Sequence, residues 1–289
     1  MDDSFDGAVL AESFRKAAEL IANSEALVIA AGAGMIADSE RPGFLTPQEI
    51  WKAYSERQSS RLQFSDIAGP AAFARDPYLA WGVYGQCLNL YREAQPHVEF
   101  ALLRMVGARA KHGTFVYTSN VDGAFQKAGF AGNRVVECHG SIHYFQCTSN
   151  CIDGIWSADE FFPVVDVQQC RLISKVPLCP RCGAVARPNI LMLNDWEWRS
   201  ILPEMQEERL YDWVNEIERP TVIEIGADDA IPTVRNFAES LDGPIIRISP
   251  EISADYDSSI IKVQASALTG MQGISRVLLE EIWDGEIEV

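Results

Sequence analysis

Apolar residues follow two rhythms along this chain. Short, nearly unbroken apolar runs occur at 26–34 (ALVIAAGAG), 114–120 (TFVYTSN), 134–140 (RVVECHG), 188–193 (PNILML), 221–227 (TVIEIGA), 244–249 (PIIRIS) and 260–264 (IIKVQ). Runs of this length without polar alternation are the pattern of strands covered on both faces, as in a parallel sheet. Between them, apolar positions recur at helical spacing over 9–23, from about Pro47, over 77–94, 96–110, 202–218, 232–241 and 267–285. Several of these open with proline, where its missing N–H costs nothing. Strands alternating with helices predict an α/β fold, a Rossmann-like parallel sheet with helices on both faces. Two stretches break the alternation, about 46–95 and 143–187. The expected organisation is therefore a single unit, 1–289. Residues 1–45, 96–142 and 188–289 would form the Rossmann-like part, 46–95 a helical insertion, and 143–187 a smaller, cysteine-rich insertion.

Composition narrows the picture. With 289 residues, 47% hydrophobic and 22% charged, the chain can bury a substantial core. No apolar run approaches the roughly 20 residues that span a bilayer, and no membrane partner is expected. The opening MDDSFDGAVLAESFRK lacks the basic-then-apolar order of a secretory signal, which predicts a cytoplasmic location. A formal charge of −17 argues against a nucleic-acid partner, since phosphates would be repelled. Acidity suits a basic peptide, although solubility alone also accounts for it.

Of the seven cysteines, four form two close pairs: Cys147 with Cys151, and Cys179 with Cys182. Two tight turns that each present two thiolates are what a tetrahedral zinc site needs, and four cysteines leave no open position for water. A structural rather than catalytic zinc is expected. Cys87, Cys138 and Cys170 read as buried or incidental.

The glycines at 30–35 (AAGAGM) follow a buried strand, where they let backbone approach a pyrophosphate. The third glycine of the full dinucleotide fingerprint is missing, and a simple tight strand-to-loop turn is the other reading.

Continued as GAGMIADSERPGFL (32–45), this loop resembles the cofactor loop of the sirtuins, the NAD-dependent protein deacylases. Further segments keep the family's order: YTSNVDG (117–123), ECHGS (137–141), the two cysteine pairs, RPNILMLND (187–195), EIGADDAIP (224–232) and RISPE (247–251). The resemblance spans about residues 25–285. It implies NAD as cofactor, an acylated protein or peptide as substrate, and transfer of the acyl group to ADP-ribose with release of nicotinamide. It implies His139 as the general base that activates a ribose hydroxyl, and Asn120 as the group that binds the nicotinamide ribose or orders a water there. It implies Asp122 as the acceptor for the nicotinamide carboxamide. Gly32, Ala33, Gly34, Ala37, Phe44, Ser119, Gly226, Ala227, Asp228 and Ser249 fall where the family contacts its cofactor. His143, near the first cysteine pair, is expected to be structural, and His97 and His112 to lie at the surface or at helix ends.

Several positions depart from the family pattern. Ile36 stands where serine is usual, Gly43 and Leu45 replace an aspartate and an arginine, and Ser249 replaces an asparagine. Asp228 and Asp229 bring two carboxylates to a cofactor segment, where they would bond a ribose diol or cap the helix near Pro232. These changes keep two other readings open: an ADP-ribosyltransferase or NAD hydrolase on the same fold, and a catalytically inactive module that binds NAD or ADP-ribose.

Overall fold

A computed structural model describes residues 3–37, 45–58, 63–227, 231–251 and 259–283, with side chains from residue 7 onward except at 36, 37, 57 and 58. The strands are β1 (Leu27–Ala31), β2 (Thr114–Thr118), β3 (Val135–Glu137), β4 (Gly140–Cys147), β5 (Trp156–Ser157), β6 (Val165–Asp166), β7 (Arg171–Leu172), β8 (Ala186–Ile190), β9 (Thr221–Ile225), β10 (Ile245–Ser249) and β11 (Ile261–Gln264). Six of them form one parallel sheet in the order β3-β2-β1-β9-β10-β11. The chain builds outward from β1 to β3, then returns to the other side of β1 with β9. Strand order thus reverses between β1 and β9, and the space beyond their carboxyl ends is where sheets of this kind bind ligands.

The helices are α1 (Asp3–Ala22), α2 (Gly34–Ala37), α3 (Pro47–Gln58), α4 (Ala71–Arg75), α5 (Pro77–Glu93), α6 (Val98–Ala108), α7 (Ala124–Lys127), α8 (Ile201–Asn215), α9 (Thr233–Ser240) and α10 (Ala267–Val277). Because side chains alternate along a strand, β1 feeds two cores. Leu27, Ile29 and Ala31 meet α1, α6 and α10 on one face, while Val28 and Ala30 meet Leu210 and Trp213 of α8 and Phe237 of α9 on the other. This is the predicted two-faced α/β arrangement.

A third core lies off the sheet. Trp81 of α5 is fully buried among Phe73, Phe145 and Phe161, and its indole N–H donates to the Ala186 carbonyl at 3.0 Å. The helices α3 to α5 and strands β4 and β8 therefore share one apolar interior. Asp76 caps α5 by accepting from the Leu79 N–H at 3.1 Å and also holds Arg171 of β7.

Two predicted strands differ in place. The run 134–140 breaks after Glu137: Gly140, at a φ of 79°, turns the chain away from the main sheet and into β4. The run 188–193 is realised as β8 two residues earlier, antiparallel to β4 in a separate three-stranded sheet. Arg187, one residue before the predicted run, sits inside the strand with its charge neutralised by Asp195.

Candidate active site

Strand register builds the site. Ala31 pairs with Thr118 on one side and Ile225 on the other, and Thr118 also pairs with Glu137. One residue beyond this row lie Gly32, Ser119 and Gly226; two residues beyond it lie Asn120 and His139. Adjacent strands therefore deliver the amide of Asn120 and the imidazole of His139 to the same end of the sheet. The Thr118 hydroxyl donates to the Ala31 carbonyl at 2.9 Å and accepts from the Asn120 N–H at 3.1 Å. The Ser119 N–H donates to Ala31 at 3.1 Å, and the Asn120 amide nitrogen donates to the Gly32 carbonyl at 3.2 Å. Asn120 is thus buried and fixed to the glycine turn.

The glycines have a local cause. The Gly32 N–H donates to the Ile225 carbonyl at 3.0 Å and Gly34 N–H to the Gly226 carbonyl at 2.9 Å. A Cβ on Gly32 would stand 2.4 Å from the Gly226 carbonyl oxygen, and one on Gly226 would stand 2.1 Å from the Met35 nitrogen. The two turns on either side of the strand-order reversal can touch only because neither carries a side chain there. Ala33 is exposed and Ala227 half-buried beside them. Ser249, at the end of β10, uses its hydroxyl locally, donating to the Glu251 carbonyl at 2.9 Å. Phe44, Asp228 and the side chain of Ala37 lie outside the described residues, as do Gly43, Asp229 and the side chain of Ile36.

His139 is half-buried, and its Nε2 lies 3.3 Å from the Thr233 hydroxyl at the start of α9. Burial lowers its pKa below the ordinary 6.5, so the neutral imidazole prevails at neutral pH. Asp122 accepts from the Ala124 N–H at 2.8 Å, closing the turn that leads into α7, and burial raises its carboxyl to about 6. His143 lies against this turn rather than serving the cysteine pair it precedes: its Nε2 is 2.9 Å from the Asp122 carbonyl. The cause is an irregularity in the β4–β8 ladder between Ser141 and Phe145, which takes residues 142–144 out of register. No periodicity in the sequence announces such a bulge. Thr233 was equally silent as a helix-opening residue after proline. Glu137 had a signal, a lone acid inside an apolar run.

Glu137 is 3% exposed, and its Oε1 has no hydrogen-bond partner. Burial raises its carboxyl to about 7, a shift that the Ser141 hydroxyl partly offsets. An acid whose folded pKa exceeds its unfolded 4.5 stabilises the fold most when both states are protonated. That contribution is lost as pH rises from 4.5 through about 7. The span is at most ~3 kcal/mol. Glu137→Gln is therefore expected to raise the thermal midpoint at mildly alkaline pH and to flatten its dependence between 4.5 and 7. Melting curves across that range check this, and an unchanged slope in the variant refutes it.

The cysteine pairs converge. Cys147 Sγ lies 3.6 Å from both Cys151 and Cys182, and Cys151 Sγ lies 3.4 Å from Cys179. All four sulfurs fall within 4.8 Å of one another. Zinc–sulfur bonds of about 2.3 Å place tetrahedral sulfurs about 3.8 Å apart, so the set fits zinc. The Ser149 and Ala184 N–H groups approach Cys147 and Cys182 sulfur at 3.3 and 3.5 Å, as turns under a metal do. Cys87, Cys138 and Cys170 are buried elsewhere. Among the described residues, no helix is long and apolar enough to cross a membrane.

Comparison with known proteins adds four findings. A family model described as the Sir2 family matches residues 32–214. NAD-dependent protein deacylase 1 of Archaeoglobus fulgidus is 28% identical over 243 residues, covering 82% of this chain and 86% of that protein. The NAD-dependent protein deacylase of Aeropyrum pernix is 31% identical over 196 residues, 67% of this chain and 69% of its own. The solved complex of a Sir2 homologue with NAD shares the fold at a TM-score of 0.67 and 22% identity, across 92% of this chain and 94% of that one.

Proposed function

Because the chain belongs to the Sir2 family, we propose that it is an NAD-dependent protein deacylase whose nucleotide crevice lies where the Gly32 and Gly226 turns meet. The observation that carries this reading is the register that brings Asn120 and His139 out of adjacent strands beside those turns. NAD, when bound, supplies a cleavable nicotinamide–ribose bond and an ADP-ribose acceptor for the acyl group.

The chain's own contribution is placement and proton handling. His139, kept neutral by burial, accepts a proton from a ribose hydroxyl, and the Thr233 hydroxyl beside Nε2 orients its ring. Asn120, held to the Gly32 carbonyl, offers its amide to the nicotinamide ribose or to a water there. Asp122 accepts from the carboxamide through the carboxylate oxygen not bonded to the Ala124 N–H. Gly32, Ala33 and Gly34 give the pyrophosphate a backbone approach, with Ala37, Phe44, Ser119, Gly226, Ala227, Asp228 and Ser249 as further contacts. Residues 46–95 and 143–187 roof this crevice and exclude water from it. An acylated peptide enters between that roof and the sheet as an extended segment. A zinc on Cys147, Cys151, Cys179 and Cys182 is fully coordinated by sulfur and does no chemistry.

Mass spectrometry of the products formed from NAD tests the reading. The expected result is nicotinamide and acyl-ADP-ribose, formed only when an acyl-lysine peptide is present. Free ADP-ribose formed regardless of peptide, or ADP-ribose attached to protein, would overturn it in favour of hydrolysis or ADP-ribosyl transfer.

A further inference from the structure

Residues 191–195, immediately beyond β8, join parts of the molecule that are far apart in sequence. The Leu191 N–H donates to the His139 carbonyl at 2.9 Å, and the Leu193 N–H donates to the Ala68 carbonyl, in the helical insertion, at 3.1 Å. Asn194 stands at a φ of 54°, a left-handed turn. Asp195 closes the segment. Its two oxygens take both terminal nitrogens of Arg187 at 2.7 and 2.8 Å, and Oδ2 also accepts from the Met192 N–H at 3.4 Å. The side chains of this pair are 1% and 0% exposed.

An ion pair buried this completely is a weak stabilising device, because desolvation of both charges offsets most of their attraction. What the bidentate fork supplies is geometry: a fixed distance and a fixed plane. Here that geometry fixes the turn whose first N–H grips the backbone of His139. The side-chain bonds of Arg187 go to Asp195 and not to His139 or Asn120, so its influence on them is indirect.

We propose that Arg187 and Asp195 are a positioning pair for the reaction, holding segment 191–195 in the arrangement that anchors the His139 backbone. This inference rests on His139 being the base. It separates geometry from charge and from stability, and each can be altered alone.

Arg187→Lys keeps the charge but cannot reproduce the fork. The double variant Arg187→Met/Asp195→Leu removes both charges in favour of apolar packing, and comparable replacements are often neutral or stabilising. Both variants, made in the full-length protein, are expected to lower kcat for deacylation by about tenfold or more. The KM for NAD should stay within about twofold, and the melting temperature of the double variant should match or exceed the parent's. A merely structural pair would instead lose stability with kcat preserved in whatever remains folded. Parent-like kcat in either folded variant, or a KM for NAD that moves in step with kcat, overturns the inference. A parent protein without NAD-dependent turnover sinks the deacylase reading itself, and the pair's role with it.

Discussion

Replacing His139 with alanine is expected to lower kcat by about a hundred- to ten-thousand-fold, the usual worth of a positioned general base. The fold should tolerate the change. The imidazole is half-buried and neutral, and the neighbour it leaves behind, the Thr233 hydroxyl, can turn to another acceptor. Loss of rate without loss of stability is therefore the signature, read by steady-state kinetics beside a melting curve. A pH dependence accompanies it. Burial holds the His139 pKa below 6.5, so the base is available across neutral pH, and activity falls only as pH drops through that lowered value. The acid limb of the kcat profile should disappear in the variant. Retention of turnover within about tenfold of the parent would remove His139 from the mechanism.

The parts of this molecule legible in its sequence are those set by local pattern. A strand covered on both faces needs apolar residues at successive positions, so the runs at β1, β2, β9 and β10 stand out. Cysteines that share a metal on tight turns must be close in sequence, and the pairs at 147–151 and 179–182 announce themselves. What stayed hidden depends on partners far along the chain. Gly32 and Gly34 read as an approach for phosphate, and nothing local tells that their missing side chains also make room for the Gly226 turn. His143 reads as structural, but its partner is hidden: a three-residue slip in the β4–β8 ladder turns it toward Asp122. Arg187 looks like the edge of a loop until Asp195 folds back to meet it. In each case the deciding contact is tertiary, and single-residue propensity carries no trace of it.

Loss of the metal should have the other large effect. Zinc ties together four sulfurs, of Cys147, Cys151, Cys179 and Cys182, that stand 3.4 to 3.6 Å from their nearest neighbours, and its loss removes that tie. Other supports of the second pair are backbone bonds, such as Cys179 N–H to the Ala184 carbonyl at 2.7 Å and the bridge between Leu178 and Val185, and Leu178 itself is exposed. Structural zinc contributes about 10–16 kcal/mol to isolated zinc-finger peptides, and even a fraction of that is large here. Cys179→Ser is expected to take the protein from one zinc per chain to none and to lower its melting temperature by about 10 °C or more. Cys87→Ala, at a cysteine outside the cluster, should keep the metal. Catalysis should fall too, for a reason set by topology. Strand β4 begins at Gly140, next to His139, and ends at Cys147; β8, its partner, leads from the second cysteine pair into segment 191–195. Loosening the metal frees the far ends of both strands that flank the catalytic turn. The six-stranded parallel sheet contains no residue of the cluster and should keep its far-ultraviolet signal and its affinity for NAD. A Cys179→Ser protein that still holds one zinc per chain, or melts with the parent, would show that these sulfurs are not its ligands. One that loses zinc and NAD affinity together would show that the module and the sheet fold as one unit.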